Sequence, residues 1–177
     1  LGFGASRTMQ IAQKLYQGIE IDGETVGLIT YMRTDGTNLS VDAISDFRDF
    51  IKNEYGKEYL PENPLNYSGK KAKNAQEAHE AIRPTDISRS PDSLKKHLST
   101  DQQKLYNLIW SRALSSQMEM AKFDRSTITI TSLDNTTICK TSGSVLKFDG
   151  FLKVFPNPSK DDDEGILPGM SKGPINI

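Results

Sequence analysis

Apolar residues in the first two thirds of the chain recur every three or four positions, the spacing that buries one face of an α-helix. Residues that favour helix ends flank several of these stretches. The pattern predicts helices over residues 6–18, 40–55, 76–83 and 99–113, and a further short helix that opens at Ser90 and Pro91. This part of the chain is therefore predicted to be mainly helical.

From about residue 120 onward, apolar and polar side chains alternate, which is the period of a half-buried strand. Strands are predicted over residues 126–131, 136–141 and 145–155, with turns at Asp134-Asn135 and Asp149-Gly150. Nearer the start, the Asp22-Gly23 pair predicts a hairpin turn that leads into a strand over residues 25–31.

Helices followed by a run of strands predict an α+β fold class. We expect a mainly helical domain over residues 1–117 and part of an antiparallel, β-rich domain over residues 118–177.

Composition narrows the function classes. The chain of 177 residues has a net charge of -1, and no apolar run approaches the roughly 20 residues of a membrane span. No membrane association is therefore predicted. The chain also lacks the excess of Lys and Arg on which tail-driven nucleic-acid binders depend, so any DNA contact must be local. With a single cysteine, Cys139, and two histidines, neither an internal disulfide nor a Cys/His zinc site can form.

The first candidate site lies where the apolar run at Leu28 and Ile29 meets a dense polar cluster. If the segment is extended, Tyr31 and Arg33 share one face because strand side chains alternate. A neighbouring guanidinium favours the phenolate form of a tyrosine and can clamp a phosphate oxygen. The pair suits phosphoryl transfer, with Tyr31 attacking and Arg33 holding the phosphate. From spacing alone, a packed tyrosine and a surface arginine are the more ordinary explanation.

The second candidate site lies at residues 76–85, where His79 and Arg83 are four apart on one face of the predicted helix. Both could meet an anion, and His79 could relay a proton because histidine titrates near neutral pH. Taken alone, a single histidine in a short helix is more often structural.

Together, the run Tyr31-Met32-Arg33-Thr34-Asp35 and the motif at residues 76–84 closely resemble the bacterial type IA DNA topoisomerase I family. The resemblance extends to residues 1–4, 103–110 and 148–151, so it covers nearly the whole chain. It implies that Tyr31 is the nucleophile that breaks one DNA strand through a 5′-phosphotyrosine bond, assisted by Arg33. It also implies that His79 lies near the DNA.

The same resemblance gives supporting roles at the DNA to Thr30, Asp35 and Arg83. One departure is Gly36, where the family usually has serine, which removes a hydroxyl. The expected partners are single-stranded or negatively supercoiled DNA and the remaining domains of the same polypeptide. The expected location is the cytoplasm, in association with the nucleoid.

The family's cofactor, Mg²⁺, is expected in a Toprim domain whose Glu and Asp-x-Asp-x-Glu set is not found in this sequence. The acidic run at residues 161–164 follows a proline-containing loop rather than a strand, so it is not that site. The resemblance therefore implies a central fragment that is inactive without the Toprim domain. It would comprise the helical active-site tyrosine domain, residues 1–117, and part of the β-rich arch domain, residues 118–177.

Three alternatives stay open. The first is a non-catalytic DNA-binding module, in which helices over residues 90–118 form a helix-turn-helix-like unit and Lys70, Lys71 and Lys73 contact phosphates. A tyrosine recombinase is disfavoured, since its nucleophile follows its Arg and His residues, whereas Tyr31 precedes His79. The last is an α+β domain without activity.

Overall fold

The computed structural model describes residues 1–67 and 80–156. Its chain divides into two compact units, Leu1–Glu119 and Met120–Ile177. The assignment of these parts as an active-site domain and part of an arch stays a prediction.

Within its described residues, the first unit contains three α-helices: α1 (Ala5–Gln17), α2 (Val41–Glu54) and α3 (Thr100–Ser115). Helix α2 begins as predicted, because the Ser40 side chain accepts a hydrogen bond from the Ala43 backbone. Helix α3 has a complete capping box, in which Ser99 and Gln102 bond each other's backbone N–H groups. Helix α1 starts one residue before the predicted cap Ser6 and has Gly4 as its N-cap without a side-chain hydrogen bond.

A two-stranded hairpin follows α1, formed by β1 (Ile19–Ile21) and β2 (Glu24–Val26). Asp22 and Gly23 both have positive φ, at 52° and 89°, which confirms the predicted turn. The predicted strand over residues 25–31 is wrong beyond Val26, where regular pairing ends. Ile29 makes only an isolated antiparallel bridge to Pro84.

The helix predicted over residues 76–83 is not formed at residues 80–83, while residues 76–79 lie outside the described part of the chain. Residues 80–83 have no regular secondary structure, and their backbone groups bond other segments: Thr30 donates to the Arg83 carbonyl and Ala81 donates to the Asn38 carbonyl. Pro84 also disfavours a helical Arg83. Residues 91–97 form successive turns instead of a helix, so the stretch 90–118 holds only α3 and no helix-turn-helix-like unit.

The core of the first unit joins the three helices to the segment after β2. Trp110 donates its indole N–H to the Ile87 carbonyl at 2.9 Å, so its polar atom is satisfied inside the core. The largest fully buried apolar side chains are Leu15, Leu28, Ile29, Phe47, Ile51, Tyr106, Leu114 and Met118.

Gly27 lets the segment after β2 lie directly on the end of α1. The Leu28 N–H donates to the Leu15 carbonyl at 2.8 Å, and a Cβ at Gly27 would lie 2.8 Å from the Tyr16 carbonyl oxygen. We expect Gly27→Ala to lower the free energy of unfolding by about 1–3 kcal/mol, measured by urea denaturation. The control Gly4→Ser adds a side chain in open space at a helix start and should be neutral or stabilising. Equal stability of the two variants would contradict this expectation.

The second unit is built on one long antiparallel hairpin, β3 (Lys122–Thr131) and β4 (Ile138–Phe148), paired from Phe123↔Leu146 to Thr131↔Ile138. The strand predicted over residues 145–155 ends at Phe148, where a short 3₁₀ helix, Gly150–Lys153, takes over. Helices in one unit and an antiparallel hairpin in the other confirm the α+β fold class.

Within residues 1–67 and 80–156, no helix is both long and apolar enough to cross a membrane.

Candidate active site

Tyr31 and Arg33 lie on the irregular segment that follows the Ile29 bridge. The Tyr31 side chain is 44% exposed and Arg33 is exposed, whereas Met32 between them is only 6% exposed. The phenol and the guanidinium, two residues apart, are therefore both open to solvent. Bends at Met32 and Arg33 interrupt the strand on which the common face was expected, so a shared face of Tyr31 and Arg33 stays a prediction.

Thr30 ties down the backbone immediately before Tyr31. Its N–H donates to the Arg83 carbonyl at 2.9 Å, and its hydroxyl donates to the Ala81 carbonyl at 3.0 Å. The same hydroxyl accepts from the Arg83 N–H at 3.0 Å. Thr30 thus joins two segments that lie more than fifty residues apart in sequence, and its side chain has a structural task within the protein.

The Arg83 side chain is also engaged internally. Its Nε donates to Glu80 Oε1 at 2.6 Å and its Nη1 to the Pro84 carbonyl at 3.0 Å, and the side chain is 18% exposed. Glu80 also accepts from the Ser40 N–H, so it links Arg83 to the start of α2. Partial burial alone would raise the pKa of Glu80, but the hydrogen bonds from Arg83 and Ser40 outweigh it and lower this pKa.

The structure shows fewer contacts for the remaining predicted site residues. Asp35 is exposed, two residues beyond Arg33. The Gly36 N–H donates to the Thr34 hydroxyl at 2.9 Å, and Gly36 is absent from the glycines with positive φ, so its backbone does not require glycine. His79 lies outside the described residues, as do Lys70, Lys71 and Lys73.

Two of the six tyrosines, Tyr31 and Tyr16, combine an exposed ring with a hydroxyl that has no hydrogen-bond partner among the described residues, unlike Tyr67 and Tyr106. Tyr106 is buried and donates to the Arg89 carbonyl, and burial followed by the Asp86 carboxylate raises its pKa. Tyr67 donates to the Ser116 carbonyl. The Tyr31 hydroxyl has no hydrogen-bond partner among the described residues, which leaves it accessible to a substrate.

The ring of Tyr31 does have a neighbour, which the sequence did not indicate. Tyr16, in the last turn of α1, meets it edge-on, with ring centroids 5.6 Å apart and an interplanar angle of 70°. The helical pattern assigns Tyr16 to the apolar face of α1, but its side chain is 42% exposed. Since the two residues are fifteen positions apart and belong to different elements, no local signal could have paired them.

Beside Arg33 lies an open cleft of about 450 Å³ between α1 and the start of α3. Ten of its twelve lining residues have polar or charged side chains. The lining residues are Ser6, Arg7, Met9, Gln10, Ile11, Gln13, Lys14, Gln17, Arg33, Ser99, Asp101 and Gln102.

Comparisons with known proteins identify the family. A family model described as DNA topoisomerase matches residues 1–176. DNA topoisomerase 1 from Rickettsia typhi is 54% identical over 164 residues, which is 93% of this chain and 21% of that protein. DNA topoisomerase 1 from Haemophilus influenzae is 47% identical over 171 residues, which is 97% of this chain and 18% of that protein.

A solved structure, full-length topoisomerase I from Thermotoga maritima, matches with a TM-score of 0.76 and 38% identity, over 89% of this chain and 24% of that one. The chain thus spans about a fifth of the length of the curated relatives named above. Sequence and fold agree over nearly all of the chain, and this protein therefore belongs to the bacterial DNA topoisomerase I family.

Proposed function

We propose that this chain is the tyrosine-bearing segment of a type IA topoisomerase and that Tyr31 breaks one DNA strand. The observation that supports this best is the exposed phenol of Tyr31 without an internal hydrogen bond, on a segment fixed by Thr30 and followed two residues later by the exposed Arg33. Because the relatives are named DNA topoisomerases, the phosphate attacked is one of the DNA backbone.

In the proposed step, the Tyr31 oxygen attacks a phosphorus atom and displaces the 3′ oxygen of the upstream nucleotide. The bond from tyrosine to phosphorus forms as the bond to the upstream sugar breaks, which leaves a 5′-phosphotyrosine. The phenolic proton goes to solvent, and the departing oxygen takes up a proton. Reversal of the attack reseals the strand after another strand has passed, and this cycle would relax negatively supercoiled DNA.

Arg33 would stabilise the negative charge that builds up on the phosphate oxygens during this attack. Thr30 and Arg83 would not contact the reacting atoms; they would act as positioning residues that hold the backbone of Tyr31. Contacts of Asp35 and His79 with the DNA belong to the same proposal.

The proposed Mg²⁺ would be held by other domains of the polypeptide. Among the residues that the structure describes, no group of three or more His, Cys, Asp or Glu side chains could hold a metal ion. This part of the chain therefore does not fit the ion, and no step above passes through it.

A segment exchange tests the proposal in a complete enzyme. The matching segment of the Rickettsia typhi DNA topoisomerase 1 is replaced by this chain, and the chimera is incubated with Mg²⁺ and a single-stranded oligonucleotide labelled at its 3′ end. We expect the label to migrate with the protein in a denaturing gel, because the 5′-phosphotyrosine retains the 3′ part of the strand. A folded chimera that binds the oligonucleotide but retains no label would refute the proposal.

The rival function, a non-catalytic DNA-binding module, is weakened because residues 90–118 do not supply a second helix. The two functions make different predictions for adduct formation. A binding module would retain the oligonucleotide only under native conditions, and the association would disappear on denaturation.

Tyr16 should act as a positioning residue for Tyr31. In the chimera, we expect Tyr16→Ala to slow adduct formation about threefold to tenfold, because it removes an edge-to-face contact. Tyr16→Phe should restore the rate, since the contact needs the ring and not the hydroxyl. Leu108→Ala, at a similarly exposed position on α3, serves as the control. A Phe variant as slow as the Ala variant would exclude a role for the ring.

A further inference from the structure

The cleft between α1 and the start of α3 has the chemistry of a phosphate-binding surface. Helix α1 contains no acidic residue, and Arg7, Gln10 and Lys14 lie three or four positions apart on its exposed face. Arg33, on the segment that carries Tyr31, also lines the cleft. Amides and cations in this arrangement are the side chains that most often contact nucleic-acid phosphates.

Asp101, the one carboxylate among the described residues that line the cleft, is already neutralised. Arg7 donates to Asp101 Oδ2 from Nη2 at 2.7 Å and from Nε at 3.2 Å. The side chains of Lys14 and Arg33, in contrast, form no ion pair or hydrogen bond with any residue in the described part of the chain. Two cations without internal partners therefore face this cleft and can meet an anion without breaking a contact.

We propose that this cleft holds the sugar-phosphate backbone of the DNA strand next to the phosphodiester that Tyr31 attacks, with Lys14 as its main phosphate contact. This inference rests on the proposed function, because it takes the strand from Tyr31 past Arg33 into the cleft. Lys14 is then a binding residue for the flanking nucleotides and has no part in bond breaking.

A titration of the 177-residue chain with single-stranded oligothymidylate at several salt concentrations tests the inference, followed by backbone NMR shifts so that weak binding is detected. Each phosphate contact to a single strand contributes about 0.7 to the slope of log K against log salt. We expect Lys14→Ala to lower the slope by about that amount and to weaken binding at low salt about threefold or more. The control Lys52→Ala removes an exposed cation from α2 and should change neither quantity.

A second variant should act in the opposite direction. Asp101→Asn releases Arg7, so binding should become tighter, whereas Asp49→Asn on α2 removes the same charge away from the cleft and should have little effect. Tighter binding in only the first variant would separate a local phosphate site from a general change in net charge.

The outcomes separate this inference from the proposed function. If Arg33→Ala lowers the salt slope but Lys14→Ala does not, or if no shifts appear with about 1 mM oligonucleotide, the cleft is not a strand-binding site. If Lys14→Ala lowers the slope while the chimera forms no adduct through Tyr31, the cleft binds DNA and the proposed chemistry fails.

Discussion

Tyr31→Phe in the chimera should reduce the covalent DNA adduct by about 10⁴-fold or more, below the detection limit of a labelled gel. The substitution removes only the oxygen that attacks phosphorus. The phenyl ring remains and can keep its edge-on contact with Tyr16, so neither folding nor strand binding should change. The measurement is the fraction of 3′-labelled oligonucleotide retained by denatured protein.

The matched control for this variant is Tyr67→Phe. It also removes one phenolic oxygen, but from a hydroxyl that donates to the Ser116 carbonyl. We expect a modest loss of stability and an unchanged adduct yield. Tyr31 would be removed from the mechanism if both variants formed the adduct at the rate of the unsubstituted chimera.

Arg33→Ala should slow strand cleavage about 10²-fold, the usual cost of losing one preorganised contact to transition-state charge. Since the Arg33 side chain has no partner among the described residues, its removal leaves no buried group unsatisfied, and stability should be unchanged. The rate of adduct formation at saturating oligonucleotide is the quantity to measure, because it separates cleavage from binding.

Two further variants help to explain the rate measured for Arg33→Ala. Arg33→Lys keeps the positive charge but loses the planar guanidinium group. The difference between its cleavage rate and that of the unsubstituted chimera would show how much of the Arg33 effect depends on guanidinium geometry. Lys52→Ala removes an exposed cation from α2 of the same unit and should leave the rate unchanged. A loss of less than twofold in Arg33→Ala would count against the assigned role.

Some features of the fold follow from local sequence because the interactions that form them are local. The Ser40 and Ser99 caps bond backbone groups three residues away, and the Asp22-Gly23 turn needs only two residues that tolerate positive φ. These elements were predicted correctly because chemistry within a few positions decides them.

The errors occur where distant segments compete for the same backbone groups. Residues 80–83 carry the end of a helical pattern, but they form no helix because Thr30 and Asn38 supply their hydrogen-bond partners. The strand expected to reach Tyr31 stops for a related reason. Past Val26, the chain turns to bond Leu15 of α1 and residues 83–85, so no regular ladder continues.

The sequence by itself indicated the candidate nucleophile and its cation through the family resemblance of two short motifs, since the two-residue spacing alone favoured a packed tyrosine and a surface arginine. It also determined the α+β fold class through two distinct hydrophobic periods. Only the tertiary structure decided that Thr30 is held from across the chain, that Tyr16 packs against the Tyr31 ring, and that Lys14 and Arg33 share a cleft. The physical reason is that such contacts depend on long-range packing around Leu15 and Leu28, which no local spacing encodes.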